Sequence, residues 1–171
     1  LGFGRYAGII GAYNGLLAYG LKSGQYNLKA AHLCSNRQEM EAELECLNFN
    51  KEKIIVTGNG RVGNGVLETL RKAKIKEVSK EEFVNETFEE AVFVHLNTMD
   101  YNARIDGTDF NKFEFYNQPE FYISCFMDYA KYADIFIAGH YYIEGSPYLI
   151  TKEDAKKTIF KIITIADISC D

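Results

Sequence analysis

The stretch Ile54–Leu70, "IIVTGNGRVGNGVLETL", decides the reading of this chain. It opens with an apolar run, passes through Gly58, Gly60, Gly63 and Gly65, and ends in helix-forming residues. Glycine costs conformational entropy in a regular element, so the cluster marks a place where something must come close to the backbone. Gly58-Asn59-Gly60-Arg61-Val62-Gly63 fits G-x-G-x-x-G, directly after an expected strand and at the start of an expected helix. In that setting Gly58 makes the tight turn, Gly60 lets a pyrophosphate reach the backbone, and Gly63 allows close helix–strand packing. The free amides and the helix dipole attract the anion. No Gly-Lys-Ser/Thr follows, which excludes a Walker A loop. A merely close-packed turn is the bland alternative.

Outward from this loop, the pattern alternates strands and helices. "KIIVTG" (53–58) reads as a buried parallel strand and "VGNGVLETLRKAK" (62–74) as a helix with basic residues at its C-terminal end. "IKEVS" (75–79) reads as a second strand, "KEEFVNETF" (80–88) as a helical turn, and "AVFVHL" (91–96) as a third strand. Residues 97–120 have no clear period and form an irregular excursion. Phe121 to Lys131 reads as helix, Asp134 to Ala138 as a fourth strand, and Thr151 with Asp154 as the start of another helix. "KIITIADIS" (161–169) supplies a fifth strand. This is the signature of an α/β domain with a doubly wound parallel sheet, which holds its ligand outside the carboxyl ends of the strands.

Before the first strand, "FGRYAGIIGAYNGLLAYGL" (3–21) interleaves small residues with Tyr6, Ile9, Ile10, Tyr13, Leu16 and Leu17. Small residues three and four apart let a helix lie very close to another element, at roughly 0.8–1 kcal/mol of propensity per glycine. An amphipathic helix over about 36–48 follows, capped by Asn36 with Glu39 reaching back. Residues 1–50 therefore read as helices leading into a nucleotide-binding domain over 51–171.

Composition narrows the class. The chain has 171 residues, 47% hydrophobic and 25% charged, which suits a globular domain. The longest apolar runs are far shorter than the roughly 18–20 residues that span a bilayer. A net charge of −5 with scattered basic residues argues against nucleic acid. Cys34, Cys46, Cys125 and Cys170 show neither C-x-x-C nor His–Cys spacing, so the expectation is reduced thiols in a cytoplasmic protein, without zinc or a disulfide framework. Because the sequence starts at Leu1 without a signal-like segment, it reads as an excised piece of a longer chain.

Further site candidates follow from position. The expected second strand ends at Ser79-Lys80, where readers of NAD carry an acid for the ribose diol. A hydroxyl and a cation there suit a 2′-phosphate, which tilts the expectation from NAD to NADP. The alternative makes Lys80 a solvated helix-start residue, with Glu81 taking the ribose. His140 follows the fourth strand in "AGHYY", at the carboxyl edge, while His32 and His95 read as structural. Asp167 and Asp171 flank the end of the last strand. Asp171 is expected to face the crevice and orient a nicotinamide or a substrate nitrogen, or else to be a cap.

Several blocks together resemble a known family. "GFGRYAG" with its glycine-rich helix, "VTGNGRVGNG", "NQPEFYISCFMDYAKYADIFIAGHYYIEGSPYLITKEDA" and "IADISCD" are similar to the saccharopine dehydrogenases, and more closely to their lysine-2-oxoglutarate reductase branch. Alanine dehydrogenase is a more distant resemblance. The resemblance implies a Rossmann-like NAD(P)-binding domain inserted in a two-domain oxidoreductase acting on CH–NH bonds in lysine metabolism. Its substrates would be an amino acid and a 2-oxo acid, and its catalytic Lys and His would lie in a domain outside this sequence. Cofactor positions carried over are Gly58, Asn59, Gly60, Arg61, Val62, Gly63, Ser79, Lys80, His140, Tyr141 and Asp171. Lys80 stands where the NAD-using branch tends to have an acid, and His140 where small or polar residues are usual. An alanine-type amino-acid dehydrogenase and a non-catalytic nucleotide sensor are the competing expectations. Phe113, Phe115 and Tyr116 are candidates for a patch facing the other domain, and oligomeric state is left open.

Overall fold

A computed structural model describes residues 2–169. The expected fold class is what it shows: a five-stranded, all-parallel sheet with helices on its faces, and an additional N-terminal helix. The strands are β1 (Lys53–Thr57), β2 (Lys76–Glu77), β3 (Val92–Leu96), β6 (Ile135–Ala138) and β7 (Thr164–Asp167), in the order β2-β3-β1-β6-β7. A separate antiparallel pair joins β4 (Asn102–Arg104) to β5 (Tyr122–Ser124). The helices are α1 (Gly4–Ser23), α2 (Arg37–Glu43), α3 (Arg61–Lys72), α4 (Lys80–Asn85), α5 (Lys112–Asn117) and α6 (Met127–Ala130).

The apolar run of β1 is central because it is buried on both faces. Ile54 and Val56 pack with Phe93, Ile135, Ile137, Tyr13, Leu16, Val66 and Leu70 on the side of α1 and α3. Ile55 points the other way, into a cluster with Val94, Leu96, Phe136, Phe83 and Phe126. Strand side chains alternate, so two clusters on a continuous apolar run are what a doubly covered parallel sheet requires.

The N-terminal helix packs as its small residues predict. A Cβ on Gly8 would stand 2.0 Å from the Val62 carbonyl oxygen, and one on Gly65 would stand 2.1 Å from the Arg5 carbonyl oxygen. Here α1 and α3 touch backbone to backbone. Further along α1, Gly11 and Gly15 make room for Ile168 and Ala166 at β7. Tyr13 turns inward and donates its hydroxyl to the Lys29 carbonyl at 2.6 Å. On the outer surface Arg5 holds Glu68 through two bonds of 2.9 Å, and Arg37 joins the same carboxylate.

Local signals set several boundaries. Asn36 accepts from the Glu39 amide at 2.9 Å to start α2, and the Glu39 carboxylate reaches back to the Ser35 amide at 2.6 Å. The helix expected over 36–48 stops at Glu43 and continues as a 3-10 turn, Leu44–Cys46. α3 ends at Lys72, and just beyond it Lys74, with φ of 58°, lets the Ile75 amide bond back to the Leu70 carbonyl.

Two expected elements change. Phe121 to Lys131 is not a helix, because the backbone of β5 pairs with β4 and only Met127–Ala130 coils. The alternation of buried Tyr122 and exposed Ile123 is a strand pattern. The excursion is thus a small built unit. Phe110, Phe115 and Tyr122 stack within 5.1–5.4 Å of one another, and Arg104 grips Glu114 at 2.8 and 3.0 Å. At Thr151 the capping contacts form, with Asp154 accepting from the Thr151 amide at 3.0 Å, yet only one 3-10 turn (Asp154–Lys156) follows.

The helix contact yields a stability prediction. Gly65→Ala forces a methyl group against the Arg5 carbonyl and should cost about 1–3 kcal/mol, the usual range for overpacking. Urea unfolding followed by circular dichroism should show a lower midpoint with an unchanged slope.

Candidate functional site

The glycine loop sits at the switch point of the sheet, where β1 has β3 on one side and β6 on the other. Each of the three glycines in the motif behaves differently. Gly58 has φ of 94° and lies so near β6 that a Cβ would meet the Gly139 carbonyl oxygen at 2.3 Å. Gly63 lies under Gly58, with 1.9 Å between its would-be Cβ and the Gly58 oxygen. Both are closed to any other residue. Gly60, by contrast, has no atom within 4 Å of that position.

Gly60 is also the N-cap of α3, and no side chain caps the helix there. The first amides of a helix lack partners inside it, and the first turn of α3, at the positive end of the dipole, begins beside the open space at Gly60. Asn59 and Gly60 are exposed, and the Asn64 side chain steadies the loop by donating to their carbonyls at 3.2 and 2.9 Å. Arg61 is exposed and lies along Gly2 and Gly4 at the start of α1; Val62 is half-buried.

Two histidines brace the loop. His95, read as structural, places Nε2 2.8 Å from the Gly58 carbonyl oxygen. His140 has Nδ1 2.8 Å from the Thr57 hydroxyl and meets the Tyr101 ring at a 6.0 Å centroid separation. Burial pushes the His140 imidazole below its usual range, against a smaller upward pull from Asp167. Burial thus disfavours its charged form, and its hydrogen bond to Thr57 fixes the ring.

The proposed ribose residues occupy a different place from the one the spacing suggests. β2 is two residues long and lies at the sheet edge; the strand beside β1 is β3. Ser79 caps α4, accepting from the Glu82 amide at 3.2 Å while the Glu82 carboxylate takes the Ser79 amide. Lys80, however, reaches across to the end of β3. Its Nζ lies 2.6 Å from Asp100 Oδ1, and Asp100 Oδ2 accepts from the Asn97 amide at 2.7 Å. Asp100 is a further candidate, which the strand spacing in the sequence does not single out. The signal was present: "VFVHL" is the longer, more buried run, and Asn97 and Asp100 have capping-box spacing.

Beyond the carboxyl ends of β3, β6 and β7 opens a cleft of about 740 Å³. Tyr101, Asn102, His140, Tyr141, Tyr148 and Asp167 lie along its wall, and among the described residues no lysine or arginine lines it. Asn102 is 5% exposed, and its Oδ1 has no partner, while Nδ2 donates to the Thr98 carbonyl at 2.9 Å. Tyr141 stands exposed at the rim. Asp171 lies outside the described residues, and Asp167 holds the described end of β7. Among the described residues Cys34, Cys46 and Cys125 are free thiols, and no helix is long and apolar enough to cross a membrane.

A rat protein is similar to this chain. It is the alpha-aminoadipic semialdehyde synthase, mitochondrial, of Rattus norvegicus, 25% identical over 213 aligned positions. The alignment takes in 99% of this chain and 23% of that protein, so the chain spans about a quarter of the relative's length. No family model matches the chain.

The state of His140 has a measurable consequence. Its folded pKa lies below the unfolded value of about 6.5, so the stability it contributes is complete above that pH and is lost as pH falls through the folded value. Stability measured by urea unfolding should therefore decline as the pH falls below about 6.5, and His140→Asn should flatten that decline.

Proposed function

We propose that this chain is the NAD(P)-binding domain of an oxidoreductase acting on CH–NH bonds, of the saccharopine dehydrogenase and lysine-2-oxoglutarate reductase type. One observation carries the reading: Gly58 and Gly63 are locked by backbone contact while Gly60 faces empty space beside the uncapped amides of α3. Open space at a glycine that begins a helix lets a pyrophosphate come close to the backbone. The parallel sheet and the similarity to the rat synthase support it. The substrates proposed are an amino acid and a 2-oxo acid, and the catalytic acid and base are proposed to come from a further domain of the full protein.

In this reading the amides at the start of α3 hold the pyrophosphate, and Asn64 keeps their loop in shape. The nicotinamide supplies the hydride chemistry when bound. His140, tied to Thr57, holds the floor of the crevice between β1 and β6. The adjoining cleft is aromatic and, among the described residues, free of lysine and arginine, which suits a neutral or cationic ring and a substrate nitrogen better than a carboxylate. The acidic groups of the 2-oxo acid then fall to residues of the other domain.

Isothermal titration of the chain with NADPH and with NADH tests the first half of this reading. Binding of at least one in the micromolar range is the expected result, and a folded sample that gives no heat with either would overturn it. Gly60→Val should weaken that binding at least a hundredfold while the thermal unfolding midpoint stays within about 2 °C, because no protein atom competes for the space. Unchanged affinity in this variant would remove the loop from the site.

A further inference from the structure

We infer that Lys80 and Asp100 act as a pair that chooses between the two nicotinamide dinucleotides, with Lys80 covering the carboxylate that would hold a ribose 2′-hydroxyl and presenting an ammonium to a 2′-phosphate instead. This rests on the dinucleotide reading above and adds the cofactor choice and its residues. The placement follows from an unbroken chain of contacts. The Gly58 amide bonds to the Leu96 carbonyl at 3.3 Å, the next residue's amide bonds to Asp100 Oδ2, and Asp100 Oδ1 holds Lys80. The adenosine ribose of a dinucleotide lying on the glycine loop falls at the end of the strand beside β1. Here that strand is β3, so Asp100 and not the end of β2 occupies the position.

The two partners differ in what they show to a ligand. The Asp100 side chain is 8% exposed with both oxygens engaged, whereas that of Lys80 is 43% exposed. An ammonium has three donors, and one bond to Asp100 leaves two for a phosphate. Glu81 and Tyr129 are the other titratable groups near this ammonium. An ordinary surface ion pair carries little, but removal of Lys80 would leave a nearly buried carboxylate oxygen without a donor. A ribose hydroxyl can supply that donor. Asp100 is therefore a positioning residue while Lys80 is present, and a ribose-binding residue when it is absent.

Titration of four proteins with NADPH and NADH tests the pair. The wild type should bind NADPH at least tenfold tighter than NADH, and Lys80→Arg should keep that order. Lys80→Ala should lose at least tenfold in NADPH affinity and gain in NADH affinity, so that the order reverses. Adding Asp100→Ala to Lys80→Ala should abolish the NADH gain, a readout that a merely structural role would not move. A wild-type ratio near one or favouring NADH, or a ratio unmoved in Lys80→Ala, would overturn the inference while leaving the dinucleotide reading standing. Absence of binding by either nucleotide to folded wild type would overturn both.

Discussion

Contact between backbones at the start of α3 is the constraint on which the rest of the structure depends. The helix is pressed from two sides: Gly63 lies on the Gly58 carbonyl at the tip of β1, and Gly65 lies on the Arg5 carbonyl of α1. Gly8 completes the clasp against Val62. With no side chains between them, the three elements have little freedom to shift, since interiors at this density behave as close-packed solids. The axis of α3 is thereby fixed relative to the sheet. Its first turn is left beside the open space at Gly60, where the positive end of the helix dipole lies.

The same clasp explains why the chain spends so many glycines in helices. Each costs up to about 1 kcal/mol of helix propensity, a cost offset by burial of Tyr13, Leu16, Val66 and Leu70 between α1, α3 and the sheet. The opposite face of the sheet is covered more lightly, by the short α4 and α6 and by segments around Leu149 and Ile162. That lighter cover opens the cleft beside His140. The sheet is therefore held rigidly on one face and left with room on the other.

Much of this was legible before any coordinates. The glycine loop, the five strands, the N-terminal helix and the caps at Asn36 and Thr151 all rest on local rules: hydrophobic period, capping chemistry and the backbone freedom of glycine. The failures are equally physical. Tyr122–Ser124 reads as helix locally, but its backbone groups are claimed by β4, about twenty residues away in sequence. Spacing along the chain puts the second strand beside β1, whereas long-range pairing puts β3 there and β2 at the edge.

The sequence by itself therefore determined the kind of fold and the location of the glycine loop, because both are written in contiguous residues whose preferences do not depend on distant partners. Tertiary structure alone decided which strand lies beside β1, that Lys80 meets Asp100 across the edge of the sheet, and that Asn102, His140 and Asp167 share one cleft. Those facts depend on how separated segments pair and pack. Hydrogen-bond registry between strands is a property of two segments together, and neither segment carries it alone.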